Sequence, residues 1–337
     1  MEVRDMRPTR ALRTAQLNRL WLAGFAMLAV IAFAAGAQAD EFDRYRDEFP
    51  NTDFSKISIE ADEIVTDGPR RDQIPPIHEP EFVPVAQADI GAEEPVIGLI
   101  INGDARAYPL RILLWHEIVN DTVGGVPVLV SYCPLCNSGV VFDRRLDGRT
   151  LQFGNTGRIR HFDMVMYDLE TESWWQQFLG EAIVGDLTGQ RMTPLPARLE
   201  SVTAFRARAP EGKLLVPNDP RLRPYGASPY VEFEDANPRA MRVFGLPDGI
   251  RPLDRVVIVG KEAWTLKRLR QERIIRDGDL EITWTPGQNS IHYEKAIDRG
   301  RDVGNVVVQR AGTDIPYDVT FAFAHRAFNG VNAVIHE

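Results

Sequence analysis

Cysteine is almost missing from this chain: its 337 residues hold two, Cys133 and Cys136. Two thiols cannot build a disulfide scaffold, so burial of apolar side chains must hold the core together. The sequence has no phosphate-cradling glycine loop, no H-E-x-x-H and no G-x-S-x-G. The common nucleotide, metalloprotease and serine-hydrolase signatures are therefore absent. Positive charge is also in short supply, with 39 Lys and Arg against 48 Asp and Glu, a net charge of −9. Such a chain repels phosphate backbones, which argues against a nucleic-acid partner. After Ala39 no apolar run approaches the roughly 20 residues of a membrane-spanning helix, so none is expected in the mature chain.

What is present begins with Arg4, Arg7, Arg10, Arg13 and Arg19, then the apolar run from Leu20 to Ala35, then Ala37-Gln38-Ala39. A basic lead, an apolar run and a small-x-small site are the parts of a secretory signal peptide, expected over residues 1–39 with the mature chain starting at Asp40. An uncleaved membrane anchor is the alternative. No paired arginine precedes the run, so export of an unfolded chain to the periplasm or beyond is expected, with any cofactor acquired afterwards. Cleavage removes five arginines and two acids and takes the net charge from −9 to −12.

The rest reads as a mostly β (α+β) protein: a proline-rich arm over 40–89, a first β-rich lobe over 90–210 with the cysteines, a connecting segment over 211–249 and a second lobe over 250–337. Val96 to Ile101 and Ala105 to Tyr108 are β-rich runs around Asn102-Gly103, a tight-turn signal, and a short helix is expected over Arg111 to His116. Val126 to Tyr132 and Gly139 to Arg144 flank the cysteines, which puts the pair at a bend between two strands. Further strands are expected at Thr150 to Phe153, Met164 to Asp168, Ser173 to Phe178 and Ala182 to Val184. A serine-capped helix over Ser201 to Ala209 ends at Pro210.

The second half echoes the first. At an offset of 156, Ala107-Tyr108-Pro109-Leu110-Arg111 faces Ala263-Trp264-Thr265-Leu266-Lys267, and Ile118 to Asp121 faces Ile274 to Asp277. At an offset of 152, Val130 to Pro134 faces Ile282 to Pro286, and Asn137-Ser138 faces Asn289-Ser290. The preserved order predicts an internal duplication, with two small curved sheets or partly open barrels carrying short helices. Chance likeness between β-rich segments is the competing account. The second copy has Thr285 and Gln288 where the first has Cys133 and Cys136.

YCPLCNSGVVFDRR, preceded by VNDTVGG and followed by MVMYDLETESWWQQ and GEAIVGDLTG, resembles a bacterial and archaeal family known only as domain of unknown function 3179. The resemblance covers roughly residues 90 to 330, from Asn120-Asp121-Thr122 through the Cys-Pro-Leu-Cys bend and Asp168 to Gly185. It implies homology and export without supplying a reaction. The chain departs at VTFAFAHRAF, around His325, where relatives are more aromatic.

Three readings of the cysteine bend compete. A proline between two cysteines at a strand-to-strand bend resembles a metal-binding knuckle, and a complete site needs about four ligands. His116 and His161 are the nearest candidates to complete it, with Met164 and Met166 close behind; such a soft set suits copper or zinc. The second reading is thiol–disulfide exchange with a thiol partner protein, but Asn137 to Phe142 is a strand sequence, not the helix that lowers a thiol pKa. A structural disulfide in a binding or scaffold domain is the third. His116 is equally explained as a buried histidine bonded to backbone, His161 as a paired surface residue, and Met164 and Met166 as core. Asp143, Asp147, Asp163, Asp168, Glu170 and Glu172 read mainly as turn and surface acids. Trp174-Trp175 reads as strand alternation, one side chain in and one out, rather than a sugar platform. The metal reading would take a metal-donor protein as its partner; the residues name no reaction, and oligomeric state is not legible.

Overall fold

The turn chemistry of the first lobe sets its topology. In the computed structural model, which describes residues 42–65, 68–236, 238–330 and 333–337, β1 (Pro95–Ile101) and β2 (Asp104–Pro109) pair antiparallel. Asn102 and Gly103 join them, with φ of 50° and 82°. α1 (Leu110–His116) follows, and Glu117 ends it in the left-handed region at φ 57°. β3 (Ile118–Val123), β4 (Val126–Cys133) and β5 (Ser138–Asp143) form the next antiparallel sheet. A four-stranded meander comes after it: β6 (Phe153–Arg160), β7 (Asp163–Asp168), β8 (Trp174–Gln176) and β9 (Glu181–Val184). β10 (Arg198–Ser201) then returns beside β1, α2 (Val202–Arg208) starts on the Ser201 hydroxyl cap, and β11 (Lys213–Val216) runs parallel to β2.

The second lobe repeats this path. β12 (Arg255–Val259), β13 (Glu262–Thr265), α3 (Leu266–Glu272), β14 (Ile274–Asp277), β15 (Leu280–Thr285) and β16 (Asn305–Arg310) come in the order of their first-lobe counterparts. β17 (Asp318–Phe321) lies antiparallel to β12, α4 (Ala322–Asn329) follows, and β18 (Val334–His336) is parallel to β13. The strand orders β10-β1-β2-β11 and β17-β12-β13-β18 agree in every pairing sense. The fold is thus mostly β, with four short α-helices among the described residues and curled sheets, one of them a half-barrel. Common ancestry of the two lobes is a proposal that this agreement motivates. The two lobes do not keep separate cores: one buried cluster joins Ile97, Tyr108 and Val130 to Val257, Trp264 and Ile282.

Two features differ from the sequence expectation. The strand expected at Thr150 to Phe153 is split: Thr150 ends a two-residue strand, Arg149–Thr150, paired with Arg145–Leu146, and Phe153 begins the longer β6, whose glycines at 154 and 157 hide it. Gly157 has φ 74°, and the register slips between Asn155 and Arg158. Such bulges re-aim side chains. The arm is also more than an extended strap. Phe42, Tyr45, Phe49 and Phe54 surround Trp174, with ring centroids 5.1 to 5.8 Å from it. Trp174 and Trp175 do alternate, yet both are buried, because the arm covers the outer face of the meander while Trp175 packs on Phe153 at 5.6 Å. Each fully buried aromatic contributes roughly 1.5–3 kcal/mol, so the arm is an integral layer.

The signal peptide expected over 1–39 lies outside the described residues, among which no helix is long and apolar enough to cross a membrane.

Candidate metal centre

β4 ends on Cys133 and β5 begins on Ser138, its cross-strand partner, so Pro134 to Asn137 make the bend. Asn137 takes the left-handed conformation at φ 55°, which asparagine tolerates better than most residues, and Tyr132 donates its hydroxyl to Asn137 Oδ1 at 2.9 Å. Both cysteines are free and buried. Their sulfurs donate to one acceptor, the Phe162 carbonyl, from 3.7 Å (Cys133) and 3.3 Å (Cys136).

That carbonyl is delivered by the β6–β7 turn, in which His161 and Phe162 both have positive φ, 52° and 64°. Two consecutive left-handed residues without glycine are costly, and such strain concentrates at functional sites. The next residue, Asp163, is fully buried and completes the group: one carboxylate oxygen and the two sulfurs lie within 4.8 Å of one another. Asp163 Oδ2 accepts from Gln176 Nε2 at 2.6 Å and from the Phe178 N–H at 3.0 Å. Asp163 Oδ1 is buried and makes no hydrogen bond of ordinary geometry.

Burial controls the protonation of all three groups. It pushes the Asp163 carboxyl up to about 7 against the lowering pull of its donors. It also raises the Cys133 thiol and lifts the Cys136 thiol well above its usual value. No histidine belongs to the group, so without a bound cation nothing there offsets the burial that favours the protonated forms.

The histidines expected to complete the site stand elsewhere. His116 closes α1 with both ring nitrogens engaged, Nδ1 with the Pro75 carbonyl at 2.8 Å and Nε2 with the Tyr225 hydroxyl at 2.7 Å. His161 adjoins Phe162, but its ring turns outward between Phe244 and Phe328, with Nε2 3.3 Å from Glu63 Oε2. Neither belongs to the Cys133–Cys136–Asp163 group. Met164 and Met166 are buried in the apolar cluster beside the cysteines.

The second lobe holds the bend from the other side. The Cys136 carbonyl accepts from the Phe321 N–H at 3.0 Å and the Thr320 hydroxyl at 2.6 Å, while Asn137 Nδ2 donates to the Val319 carbonyl at 2.6 Å. His292, fully buried, places Nε2 2.7 Å from the Pro134 carbonyl. Its other nitrogen faces Arg255 Nη2 at 3.2 Å, and Arg255 pairs with the buried Glu234. Burial, with Arg255 adding to it, holds His292 down at about 3, so it is neutral and donates from Nε2. Proximity in the chain could reveal neither His292 nor Asp163: His292 lies 158 residues from Pro134, and Asp163 sits where a strand-edge acid reads as exposed.

A family model described as a protein of unknown function, DUF3179, matches residues 71–332. The chain belongs to this family. No curated protein and no solved structure matches it. In this DUF3179 chain, then, the Cys-Pro-Leu-Cys bend is a buried junction where the β6–β7 turn and the second lobe meet. It unites two soft sulfur donors, one hard carboxylate and a backbone carbonyl, a set able to hold a borderline-soft cation.

Proposed function

We propose that Cys133, Cys136 and Asp163 bind one zinc or copper ion. The observation that carries this reading is the convergence of three ionisable donors, two thiols and one carboxyl, within 4.8 Å of one another, with Asp163 Oδ1 buried and without a hydrogen bond of ordinary geometry. Tetrahedral zinc with bonds of about 2.1 Å to oxygen and 2.3 Å to sulfur requires donors about 3.6 Å apart. The Phe162 carbonyl, at 3.3 and 3.7 Å from the sulfurs, fits the fourth corner. A divalent cation would supply the positive charge the group lacks, and its uptake would release the protons held by raised pKa values, so affinity rises with pH. We also propose, from the leader-like sequence of residues 1–39, that the protein is exported and cleaved after Ala39, which N-terminal sequencing of exported protein tests.

The deciding experiment is elemental analysis of protein purified without affinity metals, beside Cys133→Ser/Cys136→Ser and Asp163→Asn. Stoichiometric zinc or copper in the wild type and its loss in both variants supports the site. A metal-free wild type that also takes up neither zinc(II) nor copper(I) on titration overturns it.

Thiol–disulfide exchange has one observation in its favour, since Cys133 lines a cavity. Against it, both thiols are pushed up rather than down, the opposite of an activated exchanger. Reversible cycling between about −180 and −270 mV in a glutathione series would favour exchange over metal.

A further inference from the structure

A cavity of about 310 Å³ adjoins the bend, walled by Cys133, Met164 and Ile159 from the sheets, by Leu135 from the bend itself and by Pro69 and Ile74 from the arm. Its volume is at the lower end of small-molecule sites. Most of the wall is apolar, and the polar groups on it are unevenly satisfied. Glu117, over nine-tenths buried, accepts from Asn155 Nδ2 at 2.5 Å through Oε2, while Oε1 has no hydrogen-bond partner among the described residues. The Tyr230 hydroxyl likewise has none. The cation on the wall, Arg158, turns its guanidinium ends elsewhere: it donates to the Pro69 carbonyl at 2.7 Å, contacts Glu48 and lies over the Tyr45 ring, while its Nε is buried without a partner.

Two features aim Glu117 and Asn155 inward. Glu117 takes the left-handed turn that ends α1, and Asn155 stands at the edge of the β6 bulge, where its Oδ1 accepts from Gly157 N–H at 2.7 Å. A buried carboxylate with a free oxygen calls for a donor, preferably a positive one. An anionic ligand would meet that carboxylate without a free cation to offset it.

We propose that this cavity binds a small primary amine with an apolar body, its ammonium received by Glu117 with the Tyr230 hydroxyl alongside. The site accommodates on the order of ten heavy atoms. It stands beside the proposed metal centre and does not depend on it, since Glu117 rather than the sulfurs meets the head group.

Calorimetric titration of the purified full chain with n-hexylamine and benzylamine, with phenylacetate as the anionic control, tests this. Saturable one-to-one binding of an amine is expected, at least tenfold weaker in Glu117→Gln and abolished in Leu135→Trp, with no binding of phenylacetate. Ile74→Trp blocks the same space from the arm if Leu135→Trp does not fold. The Asp163→Asn protein, changed at a residue that does not line the cavity, should bind the amine within threefold of wild type, so loss of the metal reading leaves this one standing. The proposal is overturned if neither amine binds, if both the Gln and Trp variants bind as wild type does, if phenylacetate binds equally well, or if Asp163→Asn loses the amine.

Discussion

Glu117 and Arg273 occupy the same place in their lobes. Each follows a seven-residue helix with a left-handed φ, 57° and 68°, and each N–H bonds a leucine carbonyl, of Leu113 or Leu269, at 2.8 Å. Each carbonyl accepts from an aromatic residue on the neighbouring strand, Tyr132 or Trp284, at 2.9 Å. The next residues are Cys133 and Thr285, yet Cys133 is buried and Thr285 exposed. The backbones agree, so the chemistry of the bend comes from what is added to each lobe. Between β5 and β10 the first lobe carries the β6–β9 meander, whose turn brings Phe162 and Asp163 onto the sulfurs. The second lobe has only residues 311–317 at that point. Its own addition is the excursion over 286–304, which sends His292 back to Pro134. Both additions converge on the cysteine bend, while the counterpart bend is held within the excursion itself, where Asp302 Oδ1 accepts from the Gly287 and Gln288 N–H groups at 3.0 and 3.2 Å, so the shared fold is the frame and the insertions make the site.

The largest test of this contrast removes the meander's anchor. Trp175 is fully buried and donates to Asp168 at 2.9 Å, so Trp175→Ala should cost about 3–5 kcal/mol in urea unfolding and abolish metal uptake. Asp163→Asn keeps size and hydrogen bonding, and should lower metal affinity at least 100-fold, or about 2.7 kcal/mol, in a competition titration. His292→Asn touches no donor atom, only the carbonyl that fixes the bend, and a loss of 10- to 100-fold is expected, as for outer partners of metal ligands; an unchanged affinity would show that the second lobe does not position the site.

A smaller effect concerns pH. The folded Asp163 carboxyl is held up to about 7, above the 3.8 of an exposed one. Between these values the unfolded chain is ionised while the folded one keeps its proton, so the metal-free protein should lose stability as pH rises from about 4 to 7. Glu117, raised by burial to about 7, acts in the same direction. Urea midpoints taken in chelator should fall across this range in wild type and fall less in Asp163→Asn. The smallest expected effect is none: Thr285→Cys/Gln288→Cys should gain no metal, because Thr285 is exposed and the carboxylate on that bend, Asp302, is already taken up by the Gly287, Gln288 and Gly304 N–H groups.

How far the sequence reveals this follows from chain distance. Turns written in adjacent residues were legible, such as Asn102-Gly103 before β2 and the Ser201 cap of α2. The cysteine bend was legible for the same reason, and the offsets of 156 and 152 mark the matched positions Glu117/Arg273 and Tyr132/Trp284. β6 was not, because FGNTGRIR holds two glycines and a bulge that lower its β signal. The histidines nearest the cysteines in sequence were the natural ligands to expect, but helix geometry points His116 at Pro75 and the strained turn points the Phe162 carbonyl, not the His161 ring, at the sulfurs. Asp163 looked like any strand-edge acid, since burial is a property of what covers a residue.

The bond from Phe321 N–H to the Cys136 carbonyl spans 185 residues of chain. Contacts of that separation form late, because a long loop must close before they contribute. During synthesis both thiols therefore emerge long before β17, which holds their bend, has been made. Over that interval they are open to oxidation and to stray metals, and a chain cut short before Phe321 lacks the second-lobe part of their cover. Whatever handles this protein before it finishes folding meets two bare sulfurs, and whatever handles it afterwards meets a buried pair, with Cys133 on a cavity wall.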